Sequence, residues 1–344
     1  MAKIALISEN WTEPIEALAK SLKEQKHEVL FVTGRNTLIE NTLDLQVLAY
    51  FKNWTAWEAI KLFPRLLSNP PEIWHFIFTN PQVEKPKSAH WAIAGLARSL
   101  PHRAVAASLY GSVLAVKDFS WKPFFRLCHF VTLGTRESLM SFKRRGFLTH
   151  HSAMEVLPPL LRTAEATDSA KILSDQVDRL TRALHPYFLI FSDRLPSELK
   201  QGKWLSPYRL LVLGTRSKSI SLPHCFFLSE KLNAQELELL AKKSKAILVA
   251  FDDLSLLELI RIHNIAISTG AYLIVNPRQI ELYPGLCIHK KTGWVIEPRI
   301  EDFKRLLNEN PSLTLPLAKW NELIPNSIDS TMNELHRLYT QALR

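Results

Sequence analysis

AILVAF (246–251), LSLLELIRIHNIAIS (254–268), AYLIVN (271–276) and KTGWVIEP (291–298) follow one another in a single stretch, Ala246 to Pro298. The first is a short apolar run of the kind that is buried on both faces of a parallel sheet. The second has helical spacing and ends at Thr269-Gly270, a C-terminal stop signal. The third is again a buried strand. Strand, helix and strand in this order predict a βαβ unit with a right-handed crossover and a parallel sheet.

The same alternation runs through the rest of the chain. KIALIS (3–8) is a strand, and Pro14 to Lys26 a helix with Ile15, Leu18, Ala19 and Leu22 on one face; HEVLFVTG (27–34) is the next strand. Further on, Ala56 to Phe63 reads as an amphipathic helix, PEIWHFIF (71–78) as a strand and Ser88 to Leu100 as a helix. RAVAASLYGS (103–112) is a strand and turn, HFVTLG (129–134) a strand, Thr135 to Arg145 a helix stopped by Gly146, and SAMEVLPP (152–159) a last strand and boundary. Residues 160–185 are polar and helical, as a linker would be. A second series begins at PYFLIFS (186–192) and continues through YRLLVLG (208–214), HCFFLS (224–229) and the helix Gln235 to Lys245 into the opening stretch. Met332, Leu335, Leu338 and Ala342 give the C-terminal segment one apolar side. The expected class is α/β, with two doubly wound Rossmann-like domains. Their expected spans are 1–165 and 187–326, with 166–186 as linker and 327–344 as a helix packing back toward the first domain.

Composition narrows the function. Residues of apolar type make up 47% and charged residues 22%, the proportions of an ordinary globular protein. No uncharged apolar run approaches the roughly 18 residues that span a bilayer, and the N-terminus has no signal-peptide core, so the expected place is the cytoplasm. The three cysteines, Cys128, Cys225 and Cys287, lie far apart and read as isolated buried thiols. A formal charge of +10 favours anionic partners, with an anionic inner membrane face as one candidate. Ten glycines in 344 residues is under half the usual share of about 7%. Neither GxGxxG nor GxxxxGK[ST] occurs, which argues against a dinucleotide-binding dehydrogenase and a P-loop NTPase. No metal-ligand spacing, serine-nucleophile elbow or nucleic-acid-binding motif is present, and no protein-bound metal or permanently bound cofactor is expected.

In pattern the chain resembles the GT-B glycosyltransferases, most of all the large retaining family of sucrose, mannosyl and lipopolysaccharide transferases. PEIWHFIF looks like that family's Pro-Asp-hydrophobic-hydrophobic-His strand, SLYGS (108–112) like its acceptor-side turn, and VLPP (156–159) stands at its Val-Ile-Pro-Asn place. ELELLAKKSKAILV (236–249), STGAYLIV (268–275) and TGWVIEP (292–298) keep the family order. The resemblance implies two domains facing across a cleft. It also implies a nucleotide-sugar donor, a glycan, lipid or protein acceptor, and transfer with retention.

Residue by residue, the resemblance places Arg194 and Lys200 of FSDRLPSELKQG (191–202) at the pair that neutralises the donor diphosphate. A solvated turn is the alternative for both. The resemblance also places Gly270 and Asp253 on the donor side; counting back from Gly270, the family's second donor-site glutamate falls on Ile265 and its first near Leu257, with Glu258, Asp253 or Asp252 as substitutes, unless they are only surface carboxylates at a helix start. Trp11, Tyr110, Gly111 and Ser112 fall on the acceptor side. His75 is either a satisfied core histidine or, with Glu258, a catalytic group.

Several family features are absent. ENWTEP (9–14) lacks the glycine pair, Val113 replaces an acidic residue, and KWLSPYR (203–209) is too short for the usual intervening helix. Two hypotheses follow: an active glycosyltransferase, or an inactive scaffold that assists a partner glycosyltransferase. The aromatic and basic residues Tyr50, Phe51, Trp54, Trp57, Phe63 and Arg65, and Phe142, Lys143 to Arg145 and Phe147, have three readings: a core-packed helix, a face resting on anionic lipid, or a nucleic-acid groove, which no recognised nucleic-acid fold supports.

Overall fold

Apolar runs too short for helices and bounded by turn residues form two parallel sheets. The computed structural model describes residues 2–37, 45–79, 84–110, 121–146, 153–160, 179–192, 199, 205–213, 224–228, 232, 234–251, 254–283, 285–309 and 327–344. By contacts the chain divides into two compact units, Met1–Leu161 with Ser327–Arg344, and Arg162–Asn326.

Unit 1 is built on strands β1 (Lys3–Ile7), β2 (Glu28–Gly34), β3 (Gln46–Phe51), β4 (Ile73–Phe78), β5 (Ala104–Leu109), β6 (Phe130–Leu133) and β7 (Ala153–Val156). Their order is β3-β2-β1-β4-β5-β6-β7, and every pair is parallel. Helices α1 (Glu13–Glu24), α2 (Ala56–Ser68), α3 (Ser88–Ser99), α4 (Trp121–Leu127) and α5 (Arg136–Arg144) cross between strands. Every residue of β4 and β5 is buried, so alternate side chains serve opposite faces. Trp74, Phe76 and Phe78 enter the core under α2, α3 and α4, whereas Ile73 and Ile77 enter the one formed with α1.

That second core needs a further cover, and the far end of the sequence supplies it. The last helix, named α10 below (Ser327–Leu343), packs Met332, Leu335, Leu338 and Tyr339 into the α1 core. A buried polar chain fixes it there. Tyr339 Oη lies 2.6 Å from His75 Nδ1, His75 Nε2 lies 2.6 Å from Ser108 Oγ, and Ser108 Oγ lies 2.6 Å from Thr132 Oγ1. The chain links α10 to β4, β5 and β6 in turn.

Unit 2 has strands β8 (Tyr187–Phe191), β9 (Arg209–Leu213), β10 (Cys225–Leu228), β11 (Ile247–Leu248), β12 (Leu273–Val275) and β13 (Gly293–Val295). The order is β10-β9-β8-β11-β12-β13, again parallel throughout. Its helices are α6 (Ala234–Lys243), α7 (Leu256–Thr269), α8 (Pro277–Leu282) and α9 (Ile300–Glu309). The helix read in the opening stretch is α7, and its boundaries have local causes. Ser255 and Glu258 form a capping box at its start, and Gly270 ends it at φ 71° in the left-handed region. Gly293 is fixed by packing, since a Cβ there would sit 2.1 Å from the Leu273 carbonyl oxygen.

The doubly wound α/β class holds for both units. The structure adds β3, α4, α8 and α9, which the sequence reading did not identify. β3 lies on the sheet edge with only Phe51 buried; its apolar run Val47–Phe51 stands in the sequence, but the reading passed over it. α8 is too short for a periodic signal. All three cysteines are buried, and burial pushes the Cys225 thiol up to about 11 and the Cys287 thiol up to about 12. Among the described residues, no helix is long and apolar enough to cross a membrane.

Two predictions follow from this core. Tyr339→Phe removes one end of the buried chain and leaves a His75 ring nitrogen without its partner. It should cost about 1–3 kcal/mol in urea unfolding of unit 1, and an unchanged midpoint would refute the tie. The second concerns pH. Burial lowers both His75 and His90 from 6.5 to about 3, so both are neutral in the folded chain. The unfolded chain takes up these protons as pH falls below 6.5 and the folded chain does not. Stability is therefore greatest above 6.5 and should fall by about 1.4 kcal/mol per histidine per pH unit between 6.5 and 3. Unfolding curves at a series of pH values would show this slope, and a flat profile through that window would contradict it.

Candidate functional site

Ligands of open parallel sheets bind beyond the carboxyl ends of the strands, where the strand order reverses direction. In unit 1 that point lies between β1 and β4. The chain leaving β1 is Ser8, Glu9, Asn10, Trp11 and Thr12, and Thr79 follows β4. Backbone bonds hold the loop in place. Ser8 N–H donates to the Val32 carbonyl (3.2 Å), and the Glu9 carbonyl accepts from Thr37 Oγ1 (3.0 Å) and Thr33 Oγ1 (3.4 Å).

Side chains from β1, β4 and the start of α3 converge there. Glu9 Oε2 is ion-paired with Lys87 Nζ. Glu84 Oε1 accepts from Asn10 Nδ2 (3.0 Å) and from Thr79 Oγ1 (3.3 Å). Ser8 Oγ, Glu9 Oε1 and Thr12 Oγ1 are all buried and have no hydrogen-bond partner among the described residues. Buried polar atoms are normally paired, so three unpaired ones on one loop are an anomaly that a bound polar ligand would resolve. Thr12 is also the N-cap of α1, yet its hydroxyl makes no capping bond. The loop thus offers one carboxylate oxygen and two hydroxyls beside a helix N-terminus. These atoms are covered in this structure, so a ligand meets them only when the loop moves; once reached, they can accept a proton or hydrogen-bond to hydroxyl groups.

Of the acceptor-side residues, Trp11 belongs to this loop. Its ring lies edge-on to Phe31 at 4.8 Å and packs against the α1 core. The Tyr110 side chain is buried in that same core, with its hydroxyl bonded to Ser108 and its pKa pushed up to about 12 by burial. Tyr110 is therefore joined to the His75 chain inside the unit. His75 has both ring nitrogens occupied and is fully buried. It is the satisfied core histidine of the two readings, and it offers no open nitrogen to a substrate. Gly111 and Ser112 lie outside the described residues.

In unit 2 the strand order reverses between β8 and β11, which are paired. Asn276 Nδ2 donates to the Ala250 carbonyl (2.8 Å) and Gln279 Nε2 to the Val249 carbonyl (2.6 Å), beyond the end of β11. The same two side chains cap α8 reciprocally. They fix the α8 N-terminus beside the carboxyl edge of the sheet. The sequence signal was available in Asn276-Pro277-Arg278-Gln279, a capping box with proline at its first helical position.

Arg194, Lys200 and Asp253 lie outside the described residues. Glu258 is exposed, and its carboxylate turns back onto its own helix. Oε2 accepts from both Ser255 N–H and Ser255 Oγ–H, each at 2.7 Å. Ile265 is buried at 4% exposure, one helical face away from any solvent-facing role. Glu258 and Gly270 stand at opposite ends of α7 and share no site. No group of three or more potential metal ligands occurs among the described residues.

The sequence reading missed Glu9, Asn10, Glu84 and Lys87. Their signal is positional: Glu9 and Asn10 directly follow the first central strand, where a doubly wound sheet exposes its loops.

No family model matches the chain, and no curated protein does so either. Solved structures do match over its whole length. A glycosyltransferase from Rickettsia africae ESF-5 superposes with a TM-score of 0.68 at 12% identity, covering 100% of this chain and 99% of that one. Anabaena HepE in complex with UDP gives 0.66 at 13% identity, covering 99% and 100%. The same protein in complex with UDP-glucose gives 0.61 at 11% identity, again covering 99% and 100%. At such identities the likeness is one of fold: the chain has the two-sheet α/β architecture of these GT-B glycosyltransferases.

Proposed function

We propose that this protein is a glycosyltransferase that moves a sugar from a nucleotide-sugar donor to a hydroxyl of a glycan, lipid or protein acceptor. The observation that carries this reading is Glu9 at the unit 1 reversal point, with one carboxylate oxygen held by Lys87 and the other buried and unpaired. A carboxylate so placed can take the proton of an acceptor hydroxyl as its oxygen attacks the anomeric carbon and the nucleoside diphosphate departs. Ser8 and Thr12 then provide hydrogen bonds to acceptor hydroxyls. A base in this position serves a single displacement, which inverts the anomeric centre; a retaining enzyme would leave Glu9 only a binding role. The donor belongs on unit 2, with Arg194 and Lys200 against its diphosphate. The whole-length likeness to structures holding UDP and UDP-glucose supports a nucleotide sugar as that donor.

A second reading is an inactive scaffold that assists a partner glycosyltransferase. One observation favours it. The positions nearest the donor-site glutamates hold a cap carboxylate, Glu258, and a core side chain, Ile265. Calorimetry with UDP-, GDP- and ADP-sugars separates the readings: saturable binding of one donor is expected, and no heat from any donor with folded protein selects the scaffold. Lys200→Ala should weaken donor binding by about 1.5–3 kcal/mol. Glu9→Gln should leave donor affinity unchanged and lower transfer by about 10²–10⁴-fold. Undiminished transfer by that variant would remove Glu9 from the chemistry.

An anionic lipid surface is the further partner we assign. On α2, Trp57 is 63% exposed, with Ile60 and Leu67 also exposed, and Lys61 Nζ stands 5.3 Å from the Trp57 ring centre. Phe51 and Trp54 belong instead to the core, stacked at 4.4 Å. Trp57→Ser should release the protein from vesicles containing phosphatidylglycerol; equal sedimentation of variant and parent would exclude this face.

A further inference from the structure

At the amino ends of β5, β6 and β7, opposite to the reversal point, unit 1 has a cavity of about 440 Å³. Arg98, His102, Arg103 and His129 line one part of it, and Leu338 and Gln341 of α10 line another. No aspartate or glutamate is among its lining residues.

Its hydrogen-bond inventory is unbalanced. The Val105 N–H donates to His129 Nδ1 at 2.9 Å, so Nδ1 is an acceptor and the proton of the neutral ring sits on Nε2. Arg98 Nη1 is placed directly against that Nε2. A guanidinium has no acceptor atom, so two donors face each other there. Arg103 spends Nη1 on the His102 carbonyl (3.2 Å), and its Nε is buried with no partner among the described residues. Basic side chains accumulate in this cavity, and no carboxylate side chain lines it.

Charge gives the same result. α3 and α10 both end beside the cavity, and each helix C-terminus carries about half a negative charge. Together they amount to roughly one negative charge, against the three guanidiniums of Arg98, Arg103 and Arg344 that line the cavity. Arginines that merely balanced the helix ends would leave no excess, and here an excess remains. An oxyanion with several acceptor oxygens suits a cavity lined by Arg98, Arg103, Arg344, His102 and His129, since guanidiniums hold such an anion in charge-assisted hydrogen bonds.

We propose that this cavity is a binding site for a phosphate group, borne by a small soluble ester or by a lipid headgroup, and distinct from the transfer site. Phe130, Leu338 and Ala342 furnish an apolar wall for whatever the phosphate carries. Because α10 forms that wall, the ligand holds the C-terminal helix on the sheet. Occupancy therefore raises the stability of unit 1.

The test is a calorimetric titration and a thermal melt of the full chain with two probes, inorganic pyrophosphate and a soluble short-chain phosphatidylglycerol, at constant ionic strength. Saturable binding of at least one probe is expected, accompanied by a higher melting temperature, and the probe that binds more tightly identifies the source. Arg98 is exposed, so Arg98→Gln should fold normally while weakening binding by about tenfold or more. Arg103→Gln should do the same, and Glu9→Gln should not alter it. Failure of both probes to bind would overturn the proposal, as would equal binding by the parent and both arginine variants. A loss of stability in ligand-free Arg98→Gln, with no binding by the parent, would mean that the arginines serve only the helix ends. Binding that persists in both arginine variants belongs to the donor site or the α2 face proposed above, so the loss in those variants is what reports on this cavity, whether or not the protein transfers sugar.

Discussion

The strand Ile73–Phe78 is buried on both faces, and much of unit 1 follows from that constraint. A parallel sheet with two apolar faces must be covered twice. One cover comes from α2 to α5 in sequence order, but on the other face α1 reaches only part of the sheet. The remaining area over β4, β5 and β6 is closed by α10, drawn from the opposite end of the chain. Apolar contact alone would let such a helix slide. The Tyr339–His75–Ser108–Thr132 chain adds direction, because each bond is short, buried and specific in geometry. His75 thus ties α10 to the sheet through both ring nitrogens, and its neutrality is part of that role.

Most of this architecture was legible in the sequence because buried parallel strands are continuous apolar runs and their helices have one apolar face. AYLIVN and PEIWHFIF needed nothing further. Of what escaped notice, β3 does carry an apolar run, Val47–Phe51, and it is α8 that lacks the contrast. β3 is half-covered on an edge, and α8 owes its existence to the Asn276 and Gln279 caps, whose partners are far away in the chain. The histidine illustrates the limit from the other direction. Its place on a core strand was readable, but its partner Tyr339 is 264 positions distant and no local pattern indicates it.

The candidate site shows the same division. Residue types at the expected places pointed to unit 2, whereas unsatisfied atoms point to the β1 loop in unit 1. Trp11 was identified as the marker of that loop, but Glu9 two positions earlier holds its chemistry. Only geometry reveals that Oε2 is engaged by Lys87 and that Oε1 is not engaged. A surface glutamate and this one are identical in sequence.

Glu258 and Ile265 carry a further consequence. Restoring a family-like glutamate at Ile265 would place a charge in a position that is 4% exposed, on a helix face packed into its own unit. Burying an unpaired carboxylate costs several kcal/mol, so the isoleucine cannot be exchanged without moving the helix. Glu258, in turn, cannot leave Ser255 without uncapping α7, a loss of about 1 kcal/mol that a sugar hydroxyl would have to outweigh. Both residues are committed to holding α7 in place. Neither side chain can turn to a ligand without loosening α7, whereas the unpaired oxygen of Glu9 in unit 1 carries no such commitment.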